Sequence, residues 1–140
     1  MVMSSRRKAR EQVLGLLYQL DIADIPLENG TDLYQEQLGK EKEPNPFVQD
    51  LLQQAIQHQT EIDTLITKTV EHWAFDRIAV LDRNILRLAI AELLYIDNIP
   101  VNATLNEALE LAKKFSTKDS SKFINGILDK IVKNKKIDKG

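Results

Sequence analysis

DRIAVLDRNILRLAIAELLY, from Asp76 to Tyr95, is the stretch that decides the fold. Its apolar residues recur at intervals of three and four and so form two adjacent stripes along a helix. One stripe contains Ile78, Leu81, Ile85, Leu88 and Ala89, and the other contains Leu86, Ile90, Leu93 and Leu94. Because two stripes leave little polar surface, the pattern predicts a central helix with neighbours around most of its circumference.

Glu92 lies on the buried side of this predicted helix, one turn after Leu88. An unpaired carboxylate in that position is costly, so we expect a helix N-terminus or a cation to meet it. We therefore interpret Glu92 as a structural cap or ion-pair partner rather than as a catalytic acid.

Apolar residues at helical spacing also mark the segments on both sides of the central helix. They predict a first helix to about Leu20, a short one from Asp32 to Leu38, one opened by Asn45 and Pro46, one from Thr60 to about Trp73, one from about Asn102 to Phe115, and a last one capped by Ser116 and running to about Lys133. No segment shows convincing period-two alternation. The sequence therefore predicts an all-α domain of six or seven helices.

The chain has 140 residues, of which 43% are hydrophobic and 29% charged, a composition typical of one globular domain. No apolar run approaches the roughly 20 residues of a membrane-spanning helix, and the N-terminus lacks the apolar stretch of a signal peptide. We therefore expect a single cytoplasmic domain over residues 1–140. Because the sequence has no cysteine, disulfides, thiolate metal sites and thiol nucleophiles are excluded.

Charge is unevenly distributed along the chain, whose formal net charge is -2. The first acid is Glu11, and a basic turn at residues 4–10 precedes it with Arg6, Arg7, Lys8 and Arg10. The segment from Glu11 to Leu128 is rich in acids, and the lysines between Lys130 and Lys139 make the other end basic. This distribution favours a polyanion as one partner and a basic protein as another. We predict a flexible, lysine-rich tail at about residues 134–140, whose charge either is simply solvated or takes part in binding.

The four N-terminal cations stand in the first turn of the first helix, for which Ser4 or Ser5 is a suitable N-cap. The helix dipole favours acids at that end, so each cation there costs a few tenths of a kcal/mol, roughly. Selection for stability alone does not favour this arrangement. We predict that these residues bind an anion, and the alternative is that they only solubilise the helix end.

Catalytic patterns are weak. His58 and His72 do not have the spacing of metal ligands, and the glycines form neither a phosphate-binding loop nor a dinucleotide fingerprint. Glu107 and Glu110 are more simply a solvated or capping pair than an acid/base dyad. We therefore predict no catalytic residues, no metal site and no cofactor, and we expect that the protein is not an enzyme.

Four runs of the sequence together resemble the NusB family of bacterial transcription antitermination factors. They are RRKAREQVLGLLYQ from Arg6 to Gln19, LDRNILRLAIAELLY from Leu81 to Tyr95, NEALELAKKF from Asn106 to Phe115, and KFINGILDK from Lys122 to Lys130. The runs keep the order and spacing of the family over nearly the whole chain. The segment between Leu20 and Phe47 shows no useful match, and Gly15 stands where alanine is usual.

The resemblance implies a helical fold of two packed three-helix subdomains with a seventh helix, and no catalytic activity. It also implies binding to the single-stranded boxA element of ribosomal RNA leader transcripts together with NusE, the small-subunit ribosomal protein S-ten. The wider partner would be the antitermination complex of RNA polymerase. We expect no membrane association and a monomer or weak homodimer.

The same resemblance assigns residues to the two partners. The RNA site would comprise Arg6, Arg7, Lys8, Arg10, Arg87, Lys122 and Phe123. An aromatic face at Phe123 would stack an unpaired base, although its spacing with Ile127 and Ile131 equally fits a core residue. Tyr18 and Asp82 fall on positions that face NusE, and Asp82 would lie on the narrow polar side of the central helix.

Two other functions are compatible with these observations. The same helical domain resembles the N-terminal RNA-binding part of some ribosomal RNA cytosine methyltransferases, but no S-adenosylmethionine-binding Rossmann segment follows it here, so that enzyme would require the chain to be a fragment. A purely protein-binding helical adaptor would leave the arginines only a solubilising role.

Overall fold

The computed structural model describes residues 5–40, 42–71 and 75–139, and within these ranges it contains seven α-helices and no strand. The helices are α1 (Ser5–Ile22), α2 (Gly30–Leu38), α3 (Pro46–Gln57), α4 (Gln59–Thr69), α5 (Val80–Tyr95), α6 (Val101–Phe115) and α7 (Lys118–Lys135). Leu27–Asn29 and Phe75–Arg77 form two short 3-10 helices. The all-α prediction is confirmed. The predicted positions of Ser4, His72 and Trp73 lie outside the described residues.

α5 is the central helix, as the two apolar stripes predicted, because it contacts α1, α3, α4, α6 and α7. Every residue from Asn84 to Leu93 is buried. The predicted start at Asp76 is wrong. Phe75–Arg77 forms a 3-10 helix in which Asp76 and Arg77 are exposed, and Ile78 reaches the core from outside α5.

Six of the described helices form two groups of three. α1, α2 and α3 contact one another, and α5, α6 and α7 contact one another. α4 contacts members of both groups, namely α3, α5 and α7. This arrangement confirms two packed three-helix subdomains with a seventh helix. None of the described helices combines the length and the apolar composition needed to cross a bilayer.

Helix starts follow local chemistry at some positions and not at others. α3 begins as predicted, since the Asn45 side chain accepts the backbone N–H groups of Phe47 at 2.8 Å and Val48 at 3.3 Å and Pro46 follows the cap. At α7 the cap is Thr117 rather than the predicted Ser116, because the Thr117 hydroxyl accepts the N–H of Ser120 at 3.1 Å.

The C-terminal segment is packed against α5 as far as the structure describes it. Lys136 adopts a left-handed conformation that ends α7, and the Ile137 N–H donates to the Val132 carbonyl at 3.1 Å. The Lys139 ammonium donates to the carbonyls of Glu92 at 3.0 Å and Ile96 at 2.7 Å, at the C-terminal end of α5. A cation there complements the helix dipole. The predicted flexible tail at about residues 134–140 stays a prediction, and Lys139 is the tail residue whose side chain contacts α5.

Candidate functional site

The first two turns of α1 carry the predicted anion-binding residues, and the structure divides them. Arg6, Arg7 and Lys8 are exposed, whereas Arg10 is only 4% exposed. The first turn contains no acidic residue. The positive end of the α1 dipole adds to the three exposed cations, so this surface attracts anions.

Arg10 is buried because it pairs with Glu92 of the central helix. Its Nε and Nη2 atoms donate to the two carboxylate oxygens at 2.8 and 2.6 Å. The Thr104 hydroxyl donates to the same carboxylate at 2.7 Å, and Glu92 itself is 0% exposed. The predicted ion pair of Glu92 is confirmed. The direct phosphate contact of Arg10 stays a prediction, and the structure shows that its guanidinium already holds a carboxylate inside the protein.

Glu107 of α6 forms ion pairs with both the buried Arg10 and the exposed Arg7. The Nη2 atom of Arg7 donates to Glu107 Oε2 at 2.9 Å, and Nε lies 3.1 and 3.2 Å from the two oxygens. The Nη1 atom of Arg10 reaches Oε1 at 3.4 Å. The hydrogen bond and the charge of Glu107 raise the pKa of Arg7. Glu107 is thus an ion-pair partner, and the solvated or capping role predicted with Glu110 is wrong for it.

Phe47, in the first turn of α3, is an aromatic residue at this surface that the sequence reasoning missed. The guanidinium carbons of Arg6 and Arg10 lie 5.5 and 5.4 Å from its ring centroid, within cation–π distance. Its side chain is half-buried against the core. The sequence signal was only its place after the Asn45–Pro46 cap, which indicates a helix start and not a neighbour of α1.

Lys122 and Phe123 lie in the second turn of α7. Lys122 is exposed, and Phe123 is half-buried and packs against the core. The hydroxyl of Ser121 donates to the Leu109 carbonyl at 3.4 Å, so this part of α7 lies beside the turn of α6 that also carries Glu107. The basic turn of α1 and the Phe123 segment therefore both adjoin one turn of α6. Phe123 serves the core and keeps a partly exposed ring.

Arg87 is not at this surface. It is 7% exposed, and its Nε and Nη2 atoms donate to the Asp63 carboxylate at 2.8 and 2.9 Å while Nη1 donates to Asp21 at 3.0 Å. Asp21 also accepts from Arg83 and Asn84. These contacts join α1, α4 and α5. The assignment of Arg87 to the RNA site stays a prediction, and in this structure its donors are engaged by two carboxylates.

A second candidate site is an apolar groove of about 550 Å³ beside the C-terminal half of α1. We call it the α1 groove, and it is lined by Glu11, Leu14, Gly15, Tyr18, Ile22, Val80, Leu81 and Phe115. Ile22 is 59% exposed and Phe115 is 44% exposed, and because both line the groove they form part of one exposed apolar patch. Tyr18 thus lies where a partner protein can reach it.

Asp82 lies beside the α1 groove but faces inward. It is 7% exposed, and its two carboxylate oxygens accept the hydroxyls of Ser116 at 3.0 Å and Ser120 at 2.9 Å. The contact with NusE that was predicted for Asp82, on the narrow polar side of the central helix, stays a prediction. Asp82 joins α5 to the start of α7, and only its edge is available to a partner.

The described residues contain no group of three or more histidine or carboxylate side chains placed to hold a metal ion. Glu92, the most buried acid, has both oxygens engaged by Arg10 and Thr104. The two candidate surfaces in the described residues are the exposed cations at one end of α1 and the apolar groove along its other half.

Comparison with known proteins places these features in a family. The NusB family profile matches residues 7–133. The chain is 44% identical over 128 residues to the transcription antitermination protein NusB of Oceanobacillus iheyensis, covering 91% of this chain and 98% of that relative. It is 43% identical over 126 residues to the NusB of Bacillus subtilis, covering 90% of this chain and 93% of that relative.

A solved structure shows the same fold. A chain in the crystal structure of the antitermination factors NusB and NusE in complex with double-stranded RNA superposes with a TM-score of 0.77 at 30% identity. The match covers 95% of this chain and 99% of that one.

Proposed function

Because this chain belongs to the NusB family, we propose that it is a transcription antitermination factor that binds the boxA element of ribosomal RNA leader transcripts together with NusE. The crystal structure of a similar NusB with NusE and RNA supports both kinds of partner. The protein would act within the antitermination complex of RNA polymerase, which places it in the bacterial cytoplasm. A monomer or weak homodimer suits this role.

The observation that carries the RNA half of the proposal is the exposed basic turn of α1. Arg6, Arg7 and Lys8 are exposed in a turn without acids, at the positive end of a helix dipole. Guanidinium groups match phosphate oxygens with paired, planar donors, so successive phosphates of one strand are suitable ligands. Lys122 and the exposed part of Phe123 extend the proposed surface and supply a ring for stacking an unpaired base.

NusE is proposed to occupy the α1 groove. Its lining is apolar apart from Glu11, and the exposed Phe115 and Ile22 lie at its sides. Aromatic residues in such a patch are typical of the buried centre of protein interfaces. Tyr18 lies about 18 Å along α1 from Arg6, given a rise of about 1.5 Å per residue, so RNA and protein can be bound together.

Non-enzymatic action is part of this proposal, since recognition chemistry is what the two surfaces offer. A purely protein-binding adaptor is the alternative that differs most. It would use the α1 groove but give Arg6 and Lys8 no role in RNA binding. The methyltransferase alternative has less support, because the relatives compared above are antitermination proteins.

The RNA surface is tested by titrating labelled boxA RNA, and an unrelated RNA of equal length, with the double variant Arg6→Ala, Lys8→Ala. Each phosphate contact to single-stranded RNA contributes about 0.7 to the slope of log affinity against log salt, so the slope should flatten by about 1.4 for both RNAs. The variant Lys42→Ala, Lys68→Ala removes the same charge from exposed positions elsewhere and should leave the slope unchanged. An unchanged slope in the first variant would support the adaptor instead.

The protein surface is tested by measuring NusE affinity for two single variants of matched exposure. Phe115→Ala removes a 44% exposed ring from the α1 groove and should weaken NusE binding by roughly tenfold or more, as for an interface anchor. Ile25→Ala removes a 41% exposed apolar side chain that does not line the groove and should leave NusE binding intact. Equal affinities for the two variants would place NusE elsewhere.

A further inference from the structure

Arg7, the central cation of the basic turn, already holds an anion. Its guanidinium donates through Nη2 and Nε to the Glu107 carboxylate at 2.9 to 3.2 Å. A carboxylate presents two acceptor oxygens to an arginine in much the same way as a phosphate does. A phosphate that uses the same donors of Arg7 must therefore displace Glu107.

We propose that Glu107 competes with RNA phosphates for Arg7 and so sets the affinity of the basic turn for an RNA strand. This inference rests on the RNA surface proposed above. The proposed function of Glu107 differs from a purely structural one that holds Arg7 in place for RNA. Removal of the Glu107 charge should strengthen RNA binding rather than weaken it.

The geometry makes the exchange of partners feasible. Glu107 is anchored, since its side chain is only 16% exposed and its Oε1 atom also lies 3.4 Å from the Nη1 atom of Arg10. Arg10 in turn is fixed by the buried Glu92. Arg7 is 45% exposed and stands on the outer turn of the helix, so it is the arginine that can move.

The exchange also leaves no buried charge without a partner. When Arg7 turns to a phosphate, Glu107 keeps Arg10, and Arg7 replaces a carboxylate by another anion. The net binding free energy gained from that phosphate contact is then the difference between the free energies of two similar ion pairs, Arg7–phosphate and Arg7–Glu107. The ion pairs that Glu107 forms in the described residues are with Arg7 and Arg10, so among the three exposed cations of the turn Glu107 acts on Arg7 most directly.

The direct test is Glu107→Gln, which preserves the size of the side chain and removes its charge. If Arg7 then gains a full phosphate contact, the slope of log affinity against log salt should steepen by about 0.7, which corresponds to about fivefold tighter binding at about 0.1 M salt. A phosphate contact carries no sequence information, so boxA RNA and an unrelated RNA should gain alike.

Glu110→Gln is the matched control. Glu110 is exposed, lies three residues further along α6, and pairs only at 3.6 Å with Lys113. Its charge also contributes to raising the pKa of Arg7, so the variant removes one nearby negative charge without touching the Arg7 contact. The gain in RNA affinity caused by Glu107→Gln, minus the gain caused by Glu110→Gln, measures the competition itself. In an Arg7→Ala background that excess should disappear.

The outcomes are distinct. Weaker binding by Glu107→Gln would show that Glu107 positions Arg7 for RNA and would overturn the proposal. Equal effects of the two glutamine variants would overturn it as well, while a flattened slope for Arg6→Ala, Lys8→Ala would keep the RNA surface. If none of these variants changes the salt slope, the RNA surface itself is rejected.

The thermal midpoint of each variant is measured as the control for correct folding. If Glu107→Gln lowers the midpoint too far for titration, Glu107→Asp takes its place. That variant retains the charge but shortens the side chain by one methylene and so draws the oxygens away from Arg7. Competition predicts an RNA affinity between those of the unaltered protein and the glutamine variant, and an affinity below that of the unaltered protein would contradict it.

Discussion

Replacing Arg10 with alanine should destabilise the fold by about 3 to 5 kcal/mol, the cost of leaving one member of a buried ion pair alone. Arg10 stands in a basic turn whose other cations are exposed, but its own side chain is only 5% exposed and Glu92 is completely buried. In the alanine variant the Glu92 carboxylate would keep the Thr104 hydroxyl as its side-chain partner, which does not compensate a buried charge.

The expected loss is large relative to the stability of such a domain, which is about 5 to 15 kcal/mol. For a chain of this size it corresponds to a fall of roughly 10 to 20 °C in the thermal midpoint. Urea denaturation followed by circular dichroism measures the free energy of unfolding, and an unchanged dependence on urea would show that the same surface is exposed on unfolding.

Two further variants distinguish the effect of the buried Arg10–Glu92 ion pair from the effect of removing a single charge. Arg7→Ala removes the neighbouring, exposed cation and should leave the midpoint close to that of the unaltered protein. The double variant Arg10→Met, Glu92→Gln removes both buried charges, retains an oxygen for Thr104, and should recover much of the lost stability.

One result would refute this reasoning. If Arg10→Ala leaves the free energy of unfolding unchanged and flattens the salt slope of RNA binding by about 0.7, then Arg10 binds a phosphate directly, as the sequence alone suggested.

Three other predictions concern the core, the charge network and the stacking residue. Leu88 is 1% exposed on α5, so Leu88→Ala should cost roughly 2 to 5 kcal/mol, and an unchanged thermal midpoint would show that the core lies elsewhere. Burial by itself would raise the pKa of Asp21, but hydrogen bonds from Arg83 and Asn84 and the charge of Arg87 outweigh it and lower that pKa. The stabilisation of the fold by the ionised Asp21 carboxylate is therefore complete above the ordinary pKa of 3.8 and is lost as the pH falls through the folded pKa. The difference in the free energy of unfolding between the unaltered protein and Asp21→Asn should therefore shrink when it is measured at a series of pH values below 3.8. Phe123→Ala should weaken binding of boxA RNA by the roughly 1 to 3 kcal/mol of a stacked base and leave the salt slope unchanged. An unchanged RNA affinity together with a lowered thermal midpoint would assign the ring to the core.

The sequence by itself determined the helices and the identity of the central one. Apolar spacing is a local signal, and it correctly predicted that Leu88 and its neighbours on both stripes are buried. The Asn45–Pro46 pair set the start of α3 because an N-cap acts on backbone groups only two or three residues away. The exposed cations Arg6, Arg7 and Lys8 were also found from the sequence.

Tertiary structure decided which polar residues of the candidate site are available to a partner. Arg10 and Arg87 look like surface cations in sequence, yet Glu92 and Asp63 bury them. Asp82 likewise looks like an exposed acid until the hydroxyls at the start of α7 are placed against it.

The physical reason is the range of the interactions. A helix forms from contacts between residues three or four apart, so its pattern is written in consecutive positions. A charged side chain is buried or exposed according to its partner, and the partner of Arg10 lies 82 residues away. Val13 and Leu14, one turn after Arg10, are apolar and indicate that it lies nearer the core than Arg6, but its partners are decided only when the fold brings Glu92 of α5 and Glu107 of α6 to one side of α1.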